Sequence, residues 1–155
     1  MMRKSALGLV ASALVVGSIA GYEGYRSQAY RDVVGVTTIG FGTTGGVRMG
    51  QKTDPVRAVR RLADDIDATA RAVATCIGDV PLHQGEFDAF VDLAYNVGTP
   101  AFCSSSLVKK LHSTPPDYAG ACRELLRWVH AGGERQPGLV ARRAAAYRQC
   151  IGSGQ

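Results

Sequence analysis

The sequence predicts an α+β fold that is mostly helical, with a small β-hairpin lobe, a long connecting helix and a helical C-terminal lobe. A segment rich in Val, Thr and aromatic residues from Tyr30 to Phe41, with Gly35 inside it, is typical of a hairpin. Asp54 and Pro55 then open a long run in which apolar residues recur every three or four positions. The rest of the chain keeps helical periodicity, interrupted by proline and glycine pairs.

Length and composition limit the classes of protein to consider. At 155 residues the chain has the size of one ordinary domain. With 46% hydrophobic and 20% charged residues, it is neither disordered nor a multi-span membrane protein. A net charge of +5 suits an anionic wall polymer, phospholipid surface or nucleic acid. Arginines follow helical spacing at Arg57, Arg60, Arg61 and Arg71. They lack the interleaved aromatic residues on which the bases of a single-stranded nucleic acid stack, so nucleic-acid binding is not expected.

Residues 1–22 are predicted to be a membrane-active segment. Arg3 and Lys4 precede about 18 uncharged residues, which is at the short end for spanning a bilayer. The strongly apolar residues supply only about −2 to −4 kcal/mol of insertion free energy, and the basic residues place the N-terminus in the cytoplasm. The segment is a signal peptide cleaved after Ala20, a permanent anchor, or an uncleaved segment that leaves the bilayer. We favour the last, because cleavage would strip Glu23 of its preceding helix.

The connecting helix is predicted over residues 55–77, with proline at its first position and an end near Gly78. Its predicted apolar face consists of Val56, Val59, Leu62, Ile66, Ala70, Val73 and Ile77. A second apolar stripe, on the next predicted helix, consists of Phe87, Phe90, Val91, Ala94 and Val97. Three further helices are predicted at 106–111, 118–129 and 139–150. Trp128 falls on the stripe of the second of these and is predicted to be a core residue.

Four cysteines, at positions 76, 103, 122 and 150, predict two disulfides in an oxidising compartment. Their spacing contains no CxxC pair, which argues against a zinc site, and buried free thiols are the alternative. Four cysteines allow three connectivities, and the spacing does not choose among them. The histidines are His83, His112 and His130, and their spacing is not that of metal ligands. Neither a metal nor another cofactor is therefore expected.

The segment from residue 23 to residue 42 has the most informative pattern. Asp32 follows Glu23 by nine positions, where a helix gives way to the hairpin, and Thr38 comes six positions later before a glycine-rich turn. This arrangement can place two carboxyl groups across one cleft, as acid-assisted cleavage of a sugar acetal requires. Each residue also has a structural alternative: Glu23 as a surface acid, Asp32 as a turn former and Thr38 as an ordinary strand residue beside Thr37.

The residues of this segment and their order resemble those of the phage-type lysozymes, glycoside hydrolase family 24, and particularly those of their signal-arrest-release endolysins. Further matching segments are Tyr95-Asn96-Val97-Gly98, Ala101-Phe102-Cys103, Arg127-Trp128-Val129-x-Ala131-Gly132-Gly133 and Gly138-Leu139-x-x-Arg142-Arg143. The resemblance runs from about Gly21 to Cys150 and implies a two-lobed lysozyme-like fold. The catalytic domain would cover 23–155, with a small lobe at about 23–54, the connecting helix at about 55–77 and the helical lobe at about 80–150. Thr43 is a departure, because some relatives carry histidine there.

The resemblance implies an N-acetylmuramidase that hydrolyses the β-1,4 bond between N-acetylmuramic acid and N-acetylglucosamine in peptidoglycan. Glu23 matches the general acid, which protonates the departing glycosidic oxygen. Asp32 matches the second carboxylate, which steadies the oxocarbenium-like transition state and orients water. Thr38 matches the residue whose hydroxyl holds that water on the opposite face of the sugar. This implies inversion, with carboxyl groups about 6.5–9.5 Å apart.

Further residues have roles that the resemblance implies. Tyr95 and Asn96 would line the substrate cleft, with core packing as the alternative for Tyr95. Arg142 or Arg143 would reach back to Glu23, with a solvated helix face as the alternative for both. The implied disulfides are Cys76–Cys103 and Cys122–Cys150.

Finally, the resemblance implies a monomeric endolysin for host cell lysis. It would be tethered at the periplasmic face of the host inner membrane and released into the periplasm when a holin or pinholin collapses the membrane potential. While tethered, Glu23 would be held at the membrane surface out of register with Asp32; once free, the segment would become the helix that leads into Glu23. A lytic transglycosylase, which Asp32 and Thr38 argue against, and a non-catalytic membrane-tethered wall-binding protein are the alternatives.

Overall fold

The computed structural model describes residues 2–32 and 34–152, which form two compact units. One unit consists of Met1–Ala11 with Thr69–Gln155, and the other of Ser12–Ala68. The predicted boundary at residue 22 concerns membrane attachment and stays a prediction. The helices and strands are β1 (Lys4–Ser5), α1 (Ala13–Glu23), β2 (Arg26–Arg31), β3 (Thr37–Gly40), α2 (Pro55–Ile77), β4 (Pro81–Leu82), α3 (Gln84–Val97), α4 (Thr99–Cys103), α5 (Ser106–Leu111), α6 (Tyr118–Glu124), β5 (His130–Ala131), β6 (Glu134–Arg135) and α7 (Pro137–Gly152).

Helix α1 and the hairpin form the first part of the unit Ser12–Ala68. The hydroxyl of Ser12 accepts the amide of Val15 at 3.4 Å, which caps the start of α1. Strands β2 and β3 pair antiparallel, with Tyr30 opposite Thr38. The hairpin is present as predicted, but its first strand begins at Arg26 rather than Tyr30. These first strand residues are polar and exposed, so their composition carries no strand signal.

Helix α2 has the predicted bounds, Pro55–Ile77. Oδ1 of Asp54 accepts the amide of Arg57 at 3.0 Å, as expected for a residue that caps a helix with proline at its first position. The helically spaced arginines of α2 are exposed, except for Arg61, which is partly buried.

The predicted apolar face of α2 is correct from Leu62 to Ile77 but wrong in the first turns. Val56 is 63% exposed and Val59 is 47% exposed, whereas Ala58 is buried. The reason is the close approach of β3: a Cβ placed on Gly40 would lie 3.0 Å from Cβ of Ala58. A small residue therefore occupies the buried position, and the periodic valines face outward.

The core of the other unit is built on α3, which packs against α7. The side chains of Phe87, Phe90 and Leu93 are almost fully buried. The rings of Phe90 and Phe102 lie 6.3 Å apart between centroids. Disulfides join Cys76 to Cys103 and Cys122 to Cys150, with Cα–Cα distances of 5.5 Å and 5.7 Å. This is the pairing that the family resemblance implies.

The helix predicted at 118–129 is shorter than expected. It ends at Glu124 and continues as a 3-10 turn over Leu125–Arg127. Trp128 therefore follows the turn, is only partly buried, and does not lie on a helical core stripe as predicted. The carbonyl of Trp128 accepts a hydrogen bond from Nε of Arg143 at 3.1 Å, a tertiary contact that competes with continuation of the helix.

The first residues are folded into the same unit as the C-terminal helices. Strand β1 pairs with β4, placing Lys4 opposite Leu82, and the amide of Ala6 donates to the carbonyl of Val80 at 3.1 Å. Ala6 is fully buried. Among the residues described, no helix combines the length and apolarity needed to cross a membrane.

Arg3 fixes this segment through its side chain. It donates to both carboxylate oxygens of Glu86, from Nε at 3.2 Å and from Nη2 at 2.8 Å. Its guanidinium also lies 3.8 Å from the ring centroid of Tyr118. The hydrogen bond to Glu86 raises the pKa of Arg3 above its usual value. Glu86 in turn accepts the amide of His83 at 2.8 Å, so the same carboxylate caps α3.

Candidate active site

Glu23 is the last residue of α1 and is partly buried. The amide of Gly24 donates to the carbonyl of Ala20 at 3.1 Å, and Gly24 has φ +68°. This backbone conformation favours glycine and ends the helix directly after the acid. The side chain of Glu23 is thus carried at a helix end, where the chain turns into the hairpin.

The glycine-rich turn after β3 lies against Glu23. Ile39 and Thr43 exchange backbone hydrogen bonds of 3.0 Å and 3.1 Å, which close the turn. Gly42 has φ +86°, and a Cβ placed there would lie 3.1 Å from Oε2 of Glu23 and 3.5 Å from its Cγ. The backbone angle favours glycine at position 42, and a Cβ there would make a tight contact with the acid.

Asp32 organises the hairpin turn. Its Oδ1 accepts the amides of Val34 at 3.0 Å and Val36 at 2.8 Å. The backbone closes the same turn, because the amide of Asp32 donates to the carbonyl of Val36 at 3.0 Å. The turn-forming role considered for Asp32 is therefore real, and it holds the carboxylate in a defined position beside the hairpin.

Thr38 lies on β3 with only 3% of its surface exposed. Its hydroxyl donates to the carbonyl of Val36 at 3.1 Å. Since the hydroxyl proton is directed to the backbone, the oxygen lone pairs can accept a hydrogen bond from a water molecule. Val36 thus contacts both Asp32 and Thr38, and links the two side chains through one residue.

Glu23, Asp32 and Thr38 all belong to the unit Ser12–Ala68. Tyr95 and Asn96, the predicted cleft residues, belong to the other unit, where Tyr95 is partly buried and Asn96 is exposed. Their binding role stays a prediction.

The alternative of a solvated face for Arg142 and Arg143 is wrong, because they are 5% and 0% exposed. Arg142 binds Asp92 through Nε and Nη2, at distances from 2.8 Å to 3.2 Å. Arg143 lies 3.5 Å from the same carboxylate and also donates to Oδ1 of Asn96. The predicted contact of one arginine with Glu23 joins the two units and stays a prediction.

Two acidic residues, Asp92 and Asp65, bind residues that were singled out in the sequence but were not themselves identified from it. Asp92 is 6% exposed and pairs with two buried arginines. An aspartate on an apolar helix face is itself a signal of a buried ion pair. Asp65 accepts the hydroxyl of Thr43 at 2.8 Å, and nothing in the local sequence distinguishes it from Asp64 or Asp67. Within residues 2–32 and 34–152, no group of three His, Cys, Asp or Glu side chains is placed to hold a metal ion.

Known proteins resemble this chain in sequence and in fold. Residues 20–146 match the family model "Phage lysozyme". An endolysin of Acyrthosiphon pisum secondary endosymbiont phage 1 is 38% identical over 131 residues, covering 82% of this chain and 88% of the relative. The SAR-endolysin of Pseudomonas phage phiKMV is 35% identical and covers 97% of this chain and 93% of its own length. The solved structure of the endolysin from Escherichia coli O157:H7 phage FAHEc1 is 30% identical with a TM-score of 0.80, covering 93% of this chain and 94% of that one. The chain belongs to the phage lysozyme family.

Proposed function

We propose that this phage lysozyme is an endolysin that hydrolyses the β-1,4 bond between N-acetylmuramic acid and N-acetylglucosamine, with Glu23 as its general acid. The observation that carries the proposal is the placement of Glu23 at the end of α1, against the Gly42 turn and in the same unit as Asp32 and Thr38. A carboxyl group held by a helix end and a rigid turn is suited to deliver its proton to one oxygen of a bound substrate.

The proposed reaction needs one proton donor, one water and one anion. Glu23 donates its proton to the glycosidic oxygen as the bond from that oxygen to C1 breaks. A water molecule that donates a hydrogen bond to the hydroxyl oxygen of Thr38 attacks C1 from the opposite face and passes a proton to Asp32. The amides of Val34 and Val36 support this role, because they hold Asp32 in place while charge develops on the sugar. The product has inverted configuration at C1.

The test is the release of reducing ends from purified peptidoglycan by three variants. Glu23→Gln removes the transferable proton, and we expect kcat to fall by about 10²-fold or more. Asp32→Asn and Thr38→Val should also lower kcat. Asp64→Asn is the matched control, since it removes a carboxylate from an exposed position on α2. Near-normal turnover by Glu23→Gln would show that Glu23 is not the acid.

The chemical nature of the product distinguishes the remaining alternatives. Hydrolysis adds water to each cleaved chain, whereas a lytic transglycosylase leaves an anhydro-sugar. A wall-binding protein would retain peptidoglycan without releasing reducing ends. Mass spectrometry of the soluble muropeptides therefore separates all three, and NMR of the first product formed would reveal inversion or retention.

We also propose that residues 1–22 tether the enzyme to the inner membrane and that the tethered form is inactive until a holin or pinholin collapses the membrane potential. The docked N-terminus supports this, because Arg3 binds Glu86 and Ala6 binds Val80, and neither contact can form while the segment spans a bilayer. Refolding of α1 from this segment would bring Glu23 into register with Asp32 only after release.

Fractionation of cells expressing the full chain tests this tethering. Before depolarisation the protein should be in the membrane fraction, and a protonophore should move it to the periplasm with restored muramidase activity. The released protein should retain its N-terminus; a soluble protein starting at Gly21 would contradict release without cleavage. Membrane-bound protein that degraded peptidoglycan as fast as released protein would contradict control by tethering. We expect the released enzyme to be monomeric, which light scattering would test.

A further inference from the structure

We infer that Thr43 is a positioning residue for Glu23, acting through the glycine-rich turn and a hydrogen bond to Asp65. The inference rests on the proposed function, since it concerns the placement of the proposed acid.

The first step is the bond between Thr43 and α2. Thr43 is 3% exposed, and its Oγ1 donates to Oδ2 of Asp65 at 2.8 Å. A hydroxyl that donates to a carboxylate in a partly buried setting makes a charge-assisted hydrogen bond, which is stronger than one between neutral groups. The partner lies in the middle of a 23-residue helix, so Thr43 is fixed to a rigid element.

The second step is the backbone of the turn. Thr43 and Ile39 exchange two hydrogen bonds across residues 40–42, so movement of Thr43 moves the whole turn. On its other side the turn meets α2 again, because Gly40 approaches Ala58 closely enough that an added Cβ would lie 3.0 Å away. The turn is thus held on α2 by a hydrogen bond at one end and by close packing at the other.

The third step is the contact between the turn and the acid. The Cβ position of Gly42 lies 3.1 Å from Oε2, 3.5 Å from Cγ and 3.6 Å from Cβ of Glu23. The turn therefore forms a wall along the length of the Glu23 side chain. Since a catalytic group displaced by about 1 Å can lose as much as 10²-fold in rate, the position of this wall affects proton transfer.

The test compares kcat and KM of hydroxyl variants at a temperature well below their melting temperatures. Thr43→Val keeps the shape but removes the donor, and we expect kcat to fall about tenfold with KM nearly unchanged, because a misplaced acid weakens only the transition state. Thr43→Ser restores the donor and should recover most of the lost kcat. Thr75→Val is the matched control, since Thr75 donates to the carbonyl of Arg71 at 2.9 Å on an exposed face of α2.

Each outcome bears on the inference. A lower kcat for Thr43→Val, with recovery in Thr43→Ser and wild-type values for Thr75→Val, supports it. Inactive Glu23→Gln together with a wild-type kcat for Thr43→Val would overturn this inference and leave the proposed function standing. Active Glu23→Gln would overturn both. If Thr43→Val does not fold, Thr43→Ala removes the hydroxyl without placing a methyl beside Asp65 and is judged by the same values.

Discussion

Replacement of Arg3 by alanine should destabilise the folded enzyme, because Arg3 neutralises a buried carboxylate. The side chain of Glu86 is 4% exposed and that of Arg3 is 34% exposed, so the pair is shielded on the acid's side. Two hydrogen bonds, of 2.8 Å and 3.2 Å, would be lost, together with the contact to the ring of Tyr118.

The magnitude follows from these contacts. The two hydrogen bonds come from one partly exposed guanidinium, so we count them together as one charged interaction of about 1.5–3 kcal/mol, and the cation–π contact contributes about 0.5–1 kcal/mol. We therefore expect Arg3→Ala to lower the free energy of unfolding by about 2–4 kcal/mol. For a chain of this length, each kcal/mol corresponds to about 2–4 °C, so the melting temperature should fall by about 4–16 °C.

Thermal unfolding of the purified protein, followed by circular dichroism, measures this change. Lys4→Ala is the control, because it removes an equal charge from the neighbouring residue, whose side chain is exposed and whose pairing with Leu82 is through the backbone. The melting temperature of Arg3→Lys should lie between those of wild type and Arg3→Ala, since lysine keeps the charge but cannot make the bidentate hydrogen bond. Equal melting temperatures for Arg3→Ala and Lys4→Ala would refute the reasoning.

Three further predictions concern the turn, a disulfide and acid stability. Gly42→Ala should lower kcat by about tenfold or more, because its Cβ would press on Glu23 and the backbone has φ +86°; steady-state kinetics with a wild-type value would contradict this. Cys122→Ser opens a loop with a sequence separation of 28 and should cost about 3–4 kcal/mol in urea unfolding. The hydroxyl of Ser106 lowers the pKa of Glu124, so this stabilisation is present above the normal glutamate pKa and is lost as pH falls through the depressed value; Ser106→Ala should flatten melting temperature against pH in that acid range.

Local signals explain which helices were predictable. Helix α2 was predicted with its observed ends because a capping aspartate, a proline and a terminal glycine all lie within a few residues of those ends. The end of α6 was not predictable, because the hydrogen bond from Arg143 to the carbonyl of Trp128 comes from 15 residues downstream. Val56 and Val59 were misplaced for a similar reason, since Gly40 decides which residue of α2 can face it.

The residues of the candidate site also differ in how far local sequence predicts them. Glu23, Asp32 and Thr38 lie close together in the chain, so their order and spacing carry information that a sequence can show. Arg142 and Arg143 were expected on a surface as one alternative, because arginine is rarely buried unless it is paired. Their partner, Asp92, lies 50 positions before Arg142, and only the packing of α3 on α7 brings the charges together.

The contact between Arg3 and Glu86 has a consequence for biosynthesis, because the two residues are 83 positions apart. At about 5–20 residues per second, the ribosome needs about 4–17 s to deliver Glu86 after Arg3. Throughout that interval the nascent N-terminus lacks the strand and the carboxylate on which it docks in the finished protein. The apolar segment is therefore synthesised before its folded partners exist, and the proposed membrane attachment would have this interval in which to occur before the segment could dock.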